Sequence, residues 1–595
     1  MSAPRVTIHS MKLHDWLTRR NVIAGASLLI IILVVAGFLT LRRPPRVAME
    51  RYVPADALAF IEIDSLTDLL DGLTATKAWR ELAPELGLSS QLKQVGFVTD
   101  LIGRTGLGPD EAVLAGRAQC AIAVTGIQSQ AGETTEGPYI HLKPHFAVLI
   151  ETHMPPETAK RLVRDRASII AQRIYDRPAV QESEDYQGAQ LFVFHGPGSD
   201  RQVIASSAGS LVLVANHTDA IKPVLDAIAG RAQSLAGDAT LKQMRGEIDH
   251  ESSLFAYVTV SGIRKLVELW PVMVAGRAAS ESVSLFGDLI EHVSAEAQSS
   301  LLYSLKFESG GVTEKYLTAL NPGIAEALAE PLKAASSTGF QSLSLIPRAS
   351  ESVTLIGADK AGELPERVLK QLTPNLDIVA GVALREFVIN FRKQYGLAPA
   401  DSVSDAIGNE IALVNFGDDQ PRAMLIRVVD RSRLQPFVVK YLTHSGILMP
   451  AEHDDGTEIM ISSDAGRAAA FVGDFLVLGT RDQIVEVLRT QSRRDGLDGD
   501  ERLKRSLANR PINASVISYH PSAEDAGRLL LALSKLMRVT DGSRELIEGD
   551  TARRAIERMP PSVSFTEFRG AGVYTETHSA VGNLSAIGSL IGTDE

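Results

Sequence analysis

One pattern, a short apolar run followed by a turn and an amphipathic helix, occurs twice in this chain. It reads GSLVLVANHTDAIKPVL from residue 209 and GDFLVLGTRDQIVEVL from residue 473. The runs at 211–214 and 476–478 are too short for helices, so each predicts a strand that is buried on both faces. Four residues could cap the helices that follow: Thr218 or Asp219 in the first copy, and Thr480 or Asp482 in the second.

Three further blocks match between the two halves of the chain in the same order. They are VPADALAFIEID and IPRASESVTLIGAD, GLGPDEAVLAGRAQCAIAV and GLAPADSVSDAIGNEIALV, and FAVLIET and AMLIRVVD. Because matched blocks in one order indicate an internal duplication, the sequence predicts two related modules. We expect a first module at 52–320, a linker or short connecting helix at 321–342, and a second module at 343–590.

Each module ends in a predicted hairpin. The segments are SLKFESGGVTEKYL and SFTEFRGAGVYTET, and their turns contain Gly310, Gly311, Gly570 and Gly572. Strands at hairpin distance, mixed with helices, predict the α+β class. We therefore expect an N-terminal transmembrane helix followed by two tandem homologous modules, each a mostly antiparallel sheet with helices packed on it.

An apolar segment near the N-terminus predicts the cellular location. Residues 22–41, VIAGASLLIIILVVAGFLTL, contain neither a charged residue nor a proline. At about 1.5 Å per residue, a helix of this length spans roughly 30 Å, which matches the hydrocarbon core of a bilayer. We expect a single-pass transmembrane helix at 22–41.

The charges that flank this helix leave its orientation open. Equal numbers of basic residues lie on its two sides: Arg5, Lys12, Arg19 and Arg20 before it, and Arg42, Arg43, Arg46 and Arg51 after it. A first apolar segment behind a short basic N-terminus usually acts as an export signal, and long domains cross the membrane regardless of flanking charge. We expect a cytoplasmic tail at 1–21 and a periplasmic or extracytoplasmic body held at the inner membrane. A cytoplasmic body is the alternative.

Composition excludes several classes of protein. The net charge is -12 and no basic block is present, which argues against nucleic-acid binding. Cys120 is the only cysteine, so neither an intrachain disulfide nor a cysteine-based zinc site can form. Its surroundings, AQCAIAV, predict a buried strand and an unreactive thiol.

Two segments have a composition that suggests metal binding. His141 and His145 are spaced so that a helix would place both on one face, but an intervening proline and the strand that follows predict a surface loop. The segment DGLDGDE from Asp495 is acidic, but it lacks the ligand spacing and the closing glutamate of a calcium loop. Asp500, and Asp238 in the first half, are expected to cap helices instead.

No catalytic motif stands out. The sequence has no Gly-Lys dipeptide for a phosphate-binding loop and no G-x-S-x-G motif. SQLK at Ser90 lacks the partner motifs of penicillin-recognising enzymes, and GRTGLGP at Gly103 is replaced by YGLAPAD in the second half. We expect no enzymatic activity and no cofactor, and the sequence assigns no catalytic, cofactor-binding or metal-binding residue.

Two long apolar stretches occupy equivalent places in the two halves: IRKLVELWPVMVAG from Ile263 and GRLLLALSKLMRV from Gly527. Core helices are the simpler interpretation. The alternative is a groove for a hydrophobic ligand or a partner helix, since pockets often form between related domains. Sugar binding is disfavoured, because Trp79 and Trp270 are the only tryptophans beyond the apolar anchor.

Four stretches together carry a family resemblance: Pro54 to Asp56, Gly408 to Leu413, Leu476 to Leu488 and Asp500 to Leu503. Their order behind a hydrophobic anchor resembles the bacterial membrane-anchored protein-of-unknown-function family numbered 3352. The resemblance implies an envelope-associated protein with no assigned activity.

Two functions follow as expectations. The first is a membrane-anchored extracytoplasmic structural or protein-interaction protein of the bacterial cell envelope, whose partners are the membrane at 22–41 and other envelope proteins. The alternative is a binding protein for a lipid-like or other hydrophobic ligand, held in a cleft between the two modules.

Overall fold

Antiparallel strands form the framework of this protein in its computed structural model, where twenty strands of the described residues belong to one hydrogen-bonded sheet. The structure describes residues 46–84, 118–134, 137–175, 179–196, 202–248, 252–275, 299–308, 310–330, 332, 339–358, 361–363, 370, 373–375, 381–382, 385–386, 389, 403–417, 421–443, 447–463, 466–523, 526–527, 529 and 550–582. Contacts divide the chain into two compact units, Met1–Val47 and Ala48–Glu595. All elements described below lie in the second unit.

The first half of the sheet contains ten of the strands: β1 (Ala59–Ile63), β2 (Gln119–Thr134), β3 (Gly137–Glu151), β4 (Val180–Tyr186), β5 (Ala189–His195), β6 (Gln202–Ala208), β7 (Leu211–Ala215), β8 (Leu254–Val258), β9 (Ser300–Phe307) and β10 (Val312–Ala319). Hydrogen bonds place them in the order β4, β5, β6, β7, β3, β2, β1, β8, β9, β10. Each of these pairings is antiparallel.

The second half contains the other ten strands: β11 (Ser352–Gly357), β12 (Ile407–Asn415), β13 (Ala423–Val428), β14 (Glu452–Asp454), β15 (Thr457–Ile461), β16 (Arg467–Val472), β17 (Phe475–Thr480), β18 (Val516–His520), β19 (Ser562–Arg569) and β20 (Gly572–Ser579). Their order is β14, β15, β16, β17, β13, β12, β11, β18, β19, β20. Strand β10 pairs with β20, which joins the two halves.

Helices connect these strands. The described α-helices are α1 (Leu66–Ala75), α2 (Lys77–Leu82), α3 (Pro156–Tyr175), α4 (Thr218–Ile228), α5 (Ala239–Arg245), α6 (Val260–Ala275), α7 (Pro322–Ala329), α8 (Arg431–Thr443), α9 (Arg481–Arg493), α10 (Glu501–Ala508) and α11 (Asp550–Glu557). Short 3₁₀ turns at Met49–Tyr52 and Gln341–Ser344 precede the first strand of each half.

The sheet lies between two layers of helices. In the first half, Phe192 and Phe194 pack with α3, whereas Leu191 and Val193 pack in the core that contains α4. Successive side chains of a strand point to opposite faces, so the two helices cover opposite faces of the sheet. In the second half, α8 and α9 belong to two separate cores in the same way.

Several sequence predictions are confirmed. The buried runs at 211–214 and 476–478 lie in strands β7 and β17, and the two predicted hairpins are β9–β10 and β19–β20. The structure is of the α+β class with a large antiparallel sheet. Helix α7 lies within residues 321–342, and the division of the chain into modules and a linker stays a prediction.

Two predictions are wrong. His141 and His145 were predicted to lie in a surface loop, but both belong to β3, because β2 and β3 continue to pair with each other beyond the sheet. Helix α4 begins at Thr218 and is capped by His217 rather than by Thr218 or Asp219. In the second half, Thr480 caps α9 as predicted.

Some predictions fall on residues that the structure does not describe. They are the transmembrane helix at 22–41, the motifs at Ser90 and Gly103, and most of the apolar stretch from Gly527. Within the described ranges, no helix is both long enough and apolar enough to cross a bilayer.

Candidate functional site

A two-stranded arm extends from the first half of the sheet. Strand β1 pairs with β2 over 120–124, and β7 pairs with β3 over 147–151. Beyond a register shift at Thr125, the pairs run from Gly126 opposite His145 to Thr134 opposite Gly137. We call residues 126–134 and 137–145 the β-arm. Within the described part of the chain, no further strand pairs with it. At about 3.3 Å per residue, it extends roughly 30 Å.

The β-arm distinguishes the first half from the second. Val124 and Asn415 are equivalent, because they pair with Ala59 and Ser352, the first residues of β1 and β11. The segment 125–146 then leads back into the sheet in the first half, whereas only 416–422 does so in the second. An isolated two-stranded hairpin is marginally stable in water, and both edges of the β-arm carry backbone groups that can pair with another strand.

Three side chains that could bind a metal ion meet at the base of the β-arm. The imidazoles of His145 and His217 are stacked, with ring centroids 4.1 Å apart and planes at 6°. His217 Nδ1 lies 3.4 Å from Asp219 Oδ2. One possible ligand atom from each of the three residues lies within 4.8 Å of the other two.

The electrostatics of this cluster favour the neutral form of His145. Burial, and then the neighbouring His217, hold the pKa of His145 below its ordinary value, although Asp219 acts in the opposite direction. A neutral imidazole has one ring nitrogen with a free lone pair. Sequence spacing paired His145 with His141, whereas the structure brings it to His217, more than seventy residues away in the chain. The one sequence signal was a histidine at a helix start, where Ser, Thr, Asp and Asn are preferred.

An apolar cavity lies between α3 and the sheet in the first half. Its volume is about 100 Å³, and its lining includes Ile150, Val163, Ala167, Val212 and Val214. Among the described lining residues, Arg166 is the one that carries a charge. An apolar cavity of about 150 Å³ is known to stay dry and to bind a benzene-sized molecule, so this cavity is large enough for a short apolar group.

The equivalent positions of the second half carry larger side chains. Val212 lies between Ile150 and Ser207 in the sheet, and the corresponding row is Leu476 between Ile426 and Phe471. Val214 corresponds in the same way to Leu478. Phe471, Leu476 and Leu478 pack in one core with α8, so a methylene is added at two positions and a phenyl ring at a third.

A second cavity, of about 320 Å³, lies beside the seam between β10 and β20. An in-register row of polar side chains crosses five strands there: Thr354, Ser518, Ser564, Thr577 and Glu314. Glu314 is buried and accepts hydrogen bonds from Tyr303 Oη at 2.6 Å and Tyr316 Oη at 3.2 Å. Ser564, Thr577 and Glu314 line the cavity. These polar groups make the lining a poor environment for an apolar ligand, because burying a polar group without a hydrogen-bond partner is costly.

A group of three charges lies at the margin of the core in the first half, where Glu62 is buried and Glu50 and Arg245 are partly exposed. Arg245 Nη1 lies 2.6 Å from Glu50 Oε1, and Arg245 also donates a hydrogen bond to Glu62. Burial raises the pKa of Glu62 to about 7, although the Arg245 guanidinium acts in the opposite direction. Perturbed carboxyl groups occur at active sites and in structural ion pairs alike. Because this group lies among core residues such as Phe255, over which the guanidinium stacks at 4.3 Å, we interpret it as structural.

The structure also locates the remaining candidate residues. Cys120 lies in β2, and burial raises the pKa of its thiol to about 11. Asp238 and Asp500 cap α5 and α10, as predicted. Trp79 is buried, with 4% of its surface exposed. The stretch from Ile263 lies in helix α6.

Comparison with known proteins gives a family assignment for part of the chain. The family model described as "Protein of unknown function (DUF3352)" matches residues 164–345, which confirms the predicted resemblance to the family numbered 3352 but not its membrane anchoring. The matched segment runs from within α3 to just beyond the 3₁₀ turn at Gln341–Ser344. No curated protein and no solved structure matches the chain.

Proposed function

We propose that this protein is a membrane-anchored extracytoplasmic interaction protein of the bacterial cell envelope, without catalytic activity, and that the β-arm binds its protein partner. The observation that carries this proposal is the extension of β2 and β3 beyond the sheet, where they pair with each other alone among the described strands. The anchor is the apolar segment 22–41. The body then lies in the periplasm or outside the cell.

The proposal includes two tandem homologous modules, at 52–320 and 343–590. Their support is the common order of strand pairing and a shared helix cap. Tyr257 Oη donates to Asp238 Oδ2 at 3.0 Å in the first half, and Tyr519 Oη donates to Asp500 Oδ2 at 3.0 Å in the second. Features common to both halves then serve the fold, so function is to be sought where the halves differ.

The physical argument for partner binding concerns exposed backbone. A ribbon of two strands leaves one row of N–H and C=O groups free on each outer edge, and a strand from another protein can pair with such an edge. Partner pairing would also add the third strand that a marginally stable hairpin needs. Gln128 and Ser129 on the β-arm are exposed, so the ribbon is accessible near its base.

Site-specific photo-crosslinking in native membranes tests this proposal. The photoreactive amino acid is placed at Gln128 or Ser129 on the β-arm, and at Lys504 on α10 as the matched exposed control. We expect the same envelope protein to crosslink from both arm positions and not from Lys504. A second variant replaces 125–146 by the shorter connection 416–422 of the second half and should lose that partner. Equal capture from Lys504, or capture that survives the replacement, would contradict the proposal.

The second candidate function is binding of a lipid-like or other hydrophobic ligand. Sequence reasoning placed such a ligand between the modules, but the seam cavity has a carboxylate and several hydroxyls in its lining. The apolar cavity beneath α3 is chemically better suited. Arg166 in its lining favours an acyl chain with an anionic head group, because a guanidinium binds carboxylate and phosphate well. A cavity of about 100 Å³ holds only part of such a chain.

Mass spectrometry of organic extracts from the purified protein tests the second candidate. We expect an anionic lipid in stoichiometric amount from the native protein and its loss from the double variant Val212→Leu/Val214→Leu, which introduces the side chains of the second half. The matched control is Leu476→Val/Leu478→Val, which should leave bound lipid unchanged. Absence of lipid from the native protein, or equal lipid in the filled variant, would exclude this cavity as the binding site.

A further inference from the structure

We propose that His145, His217 and Asp219 form a binding site for a divalent transition-metal ion of the zinc type at the base of the β-arm. Two imidazole nitrogens and one carboxylate oxygen are a common donor set for zinc and related ions, with water in the remaining position. Calcium and magnesium prefer oxygen donors throughout. The site is independent of the proposed partner binding, because metal binding can be measured on the protein alone.

The distances are close to those that coordination requires. His217 Nδ1 and Asp219 Oδ2 are 3.4 Å apart, and two ligands of a tetrahedral zinc ion with bonds of about 2.0 Å are roughly 3.3 Å apart. The His145 ring is stacked nearly parallel to that of His217. It therefore has to tilt about its Cβ–Cγ bond to direct a lone pair at the same ion. Both rings are partly exposed, so solvent surrounds the path of this rotation.

Nδ1 of His217 carries a lone pair. The backbone N–H of Asp219 donates a hydrogen bond to this nitrogen at 3.2 Å, so in the neutral ring the proton is on Nε2. A metal ion at Nδ1 would replace this one hydrogen bond. The positive end of the α4 dipole opposes a nearby cation, but this effect reduces affinity only by about two- to fivefold.

The equivalent helix start in the second half has no histidines. Thr480 caps α9 in a reciprocal capping box with Gln483, and Gln483 Nε2 donates to the Pro421 carbonyl at 2.7 Å. Pro421 precedes β13 by two residues, just as His145 precedes the first residue of β3 that pairs within the sheet. The first half thus has a less favourable capping residue and two imidazoles in contact, which helix capping does not explain and metal binding does.

An ion at this site would connect the β-arm to the sheet. His145 belongs to β3 at the point where the strand leaves the sheet, whereas His217 and Asp219 belong to the start of α4. Thr125 lies at the register shift between β2 and β3. Its Oγ1 is 3.5 Å from the carbonyl oxygens of both His145 and Asp219. Coordination would therefore restrict the direction in which the β-arm points.

Calorimetric titration with Zn²⁺ tests the site on the chelator-treated full-length protein in detergent. We expect one bound ion per chain. His217→Thr places the capping residue of the second half at this position and so keeps the fold. This variant, and separately Asp219→Asn, should bind zinc at least roughly 100-fold more weakly, since even loss of an outer-shell partner costs 10- to 100-fold. His195→Ala on β5 is the matched control and should bind as the native protein does.

Hydrogen exchange gives a second readout. Zinc should slow exchange of the backbone amides at 126–128, 142, 143 and 145 in the native protein and leave them unchanged in His217→Thr. Native affinity in both His217→Thr and His145→Ala would overturn the assignment. So would equal exchange at these amides with and without zinc. Failure of the native protein to crosslink a partner from Gln128 or Ser129, with zinc binding intact, would instead count against the proposed function alone.

Discussion

In the first half of the sheet, Arg245 lies between Glu50 and Glu62, whereas the second half has leucines at the equivalent positions. The correspondence is fixed by Tyr257 and Tyr519, which bind the capping aspartates of α5 and α10. The three charged residues and their counterparts can then be paired: Glu50 with Leu343, Glu62 with Leu355, and Arg245 with Leu507. All three leucines pack in or against the second core.

This comparison shows which residues the shared strand order needs and which are particular to the first half. The same strand order forms with a partly buried ion group in one half and with three leucines in the other, so the fold does not require the charges. Transfer of charges from water into a core is costly, and their mutual attraction often does no more than offset that cost. Glu50 Oε2 is also buried without a hydrogen-bond partner, which makes the charged arrangement the less stable of the two.

The largest expected effect follows from removing only the cation. Arg245→Leu leaves the buried Glu62 and the partly buried Glu50 without their counter-charge, and we expect a loss of up to about 3–5 kcal/mol in the free energy of unfolding, the value for a fully buried pair. Denaturant titration followed by circular dichroism measures it. The triple variant Glu50→Leu/Glu62→Leu/Arg245→Leu should be as stable as the native protein or more stable by about 1–4 kcal/mol. A triple variant less stable than Arg245→Leu alone would refute the equivalence of the two halves.

The next effect is a pH dependence of the free energy of unfolding that arises from Glu62 in the first half. Glu62 has a pKa of about 7 in the folded protein against an ordinary value of 4.5. Between these values the unfolded chain releases a proton that the folded chain keeps, so the contribution of Glu62 to stability is fully present below pH 4.5 and is lost as the pH rises to about 7. We expect a loss of up to roughly 3 kcal/mol over this interval. Unfolding measured across it should be flatter for the leucine triple variant, and parallel curves would contradict the prediction.

Where the two halves share the same contact, the same substitution should lower the free energy of unfolding by the same amount. Tyr257→Phe and Tyr519→Phe each remove a buried hydroxyl that donates to a capping aspartate. Hydrogen bonds to charged groups are worth about 1.5–3 kcal/mol, and we expect losses in this range that differ little between the two variants. Thermal unfolding of both proteins measures the difference. A loss in only one half would show that the two caps are not equivalent.

The smallest expected change in stability concerns the cavity beneath α3 in the first half and the filled core at the equivalent place in the second half. Leu476→Val removes a methylene from a filled core and should cost about 1 kcal/mol. Val212→Leu adds one beside an existing cavity, so we expect a change near zero or a small gain in stability. The two variants are compared by denaturant titration under identical conditions. A larger loss from Val212→Leu than from Leu476→Val would mean that the cavity beneath α3 cannot accept the added group.

Much of the local structure was predictable from the sequence. The strand at Leu476 and the amphipathic helix behind it follow from a short apolar run and from one-sided spacing, and both are present as β17 and α9. Asp238 and Asp500 were predicted to cap helices and do so. These predictions succeed because each depends on residues within one or two turns of the chain, where steric and hydrogen-bonding preferences act directly.

The functional features depend on residues that are distant in sequence. The histidine cluster joins His145 in a strand to His217 at a helix start, and the ion group joins three separate elements. Extension of β2 and β3 into the β-arm, and the pairing of β10 with β20, likewise depend on which strand edges meet.

The sequence by itself determined which segments are strands and helices and which faces of them are apolar, because that periodicity is a property of neighbouring residues. Tertiary structure alone decided which side chains face each other across those surfaces. Periodicity shows that one face of a strand or helix is apolar and will be buried. Which residues pack against that face depends on the pairing of all the strands in the sheet.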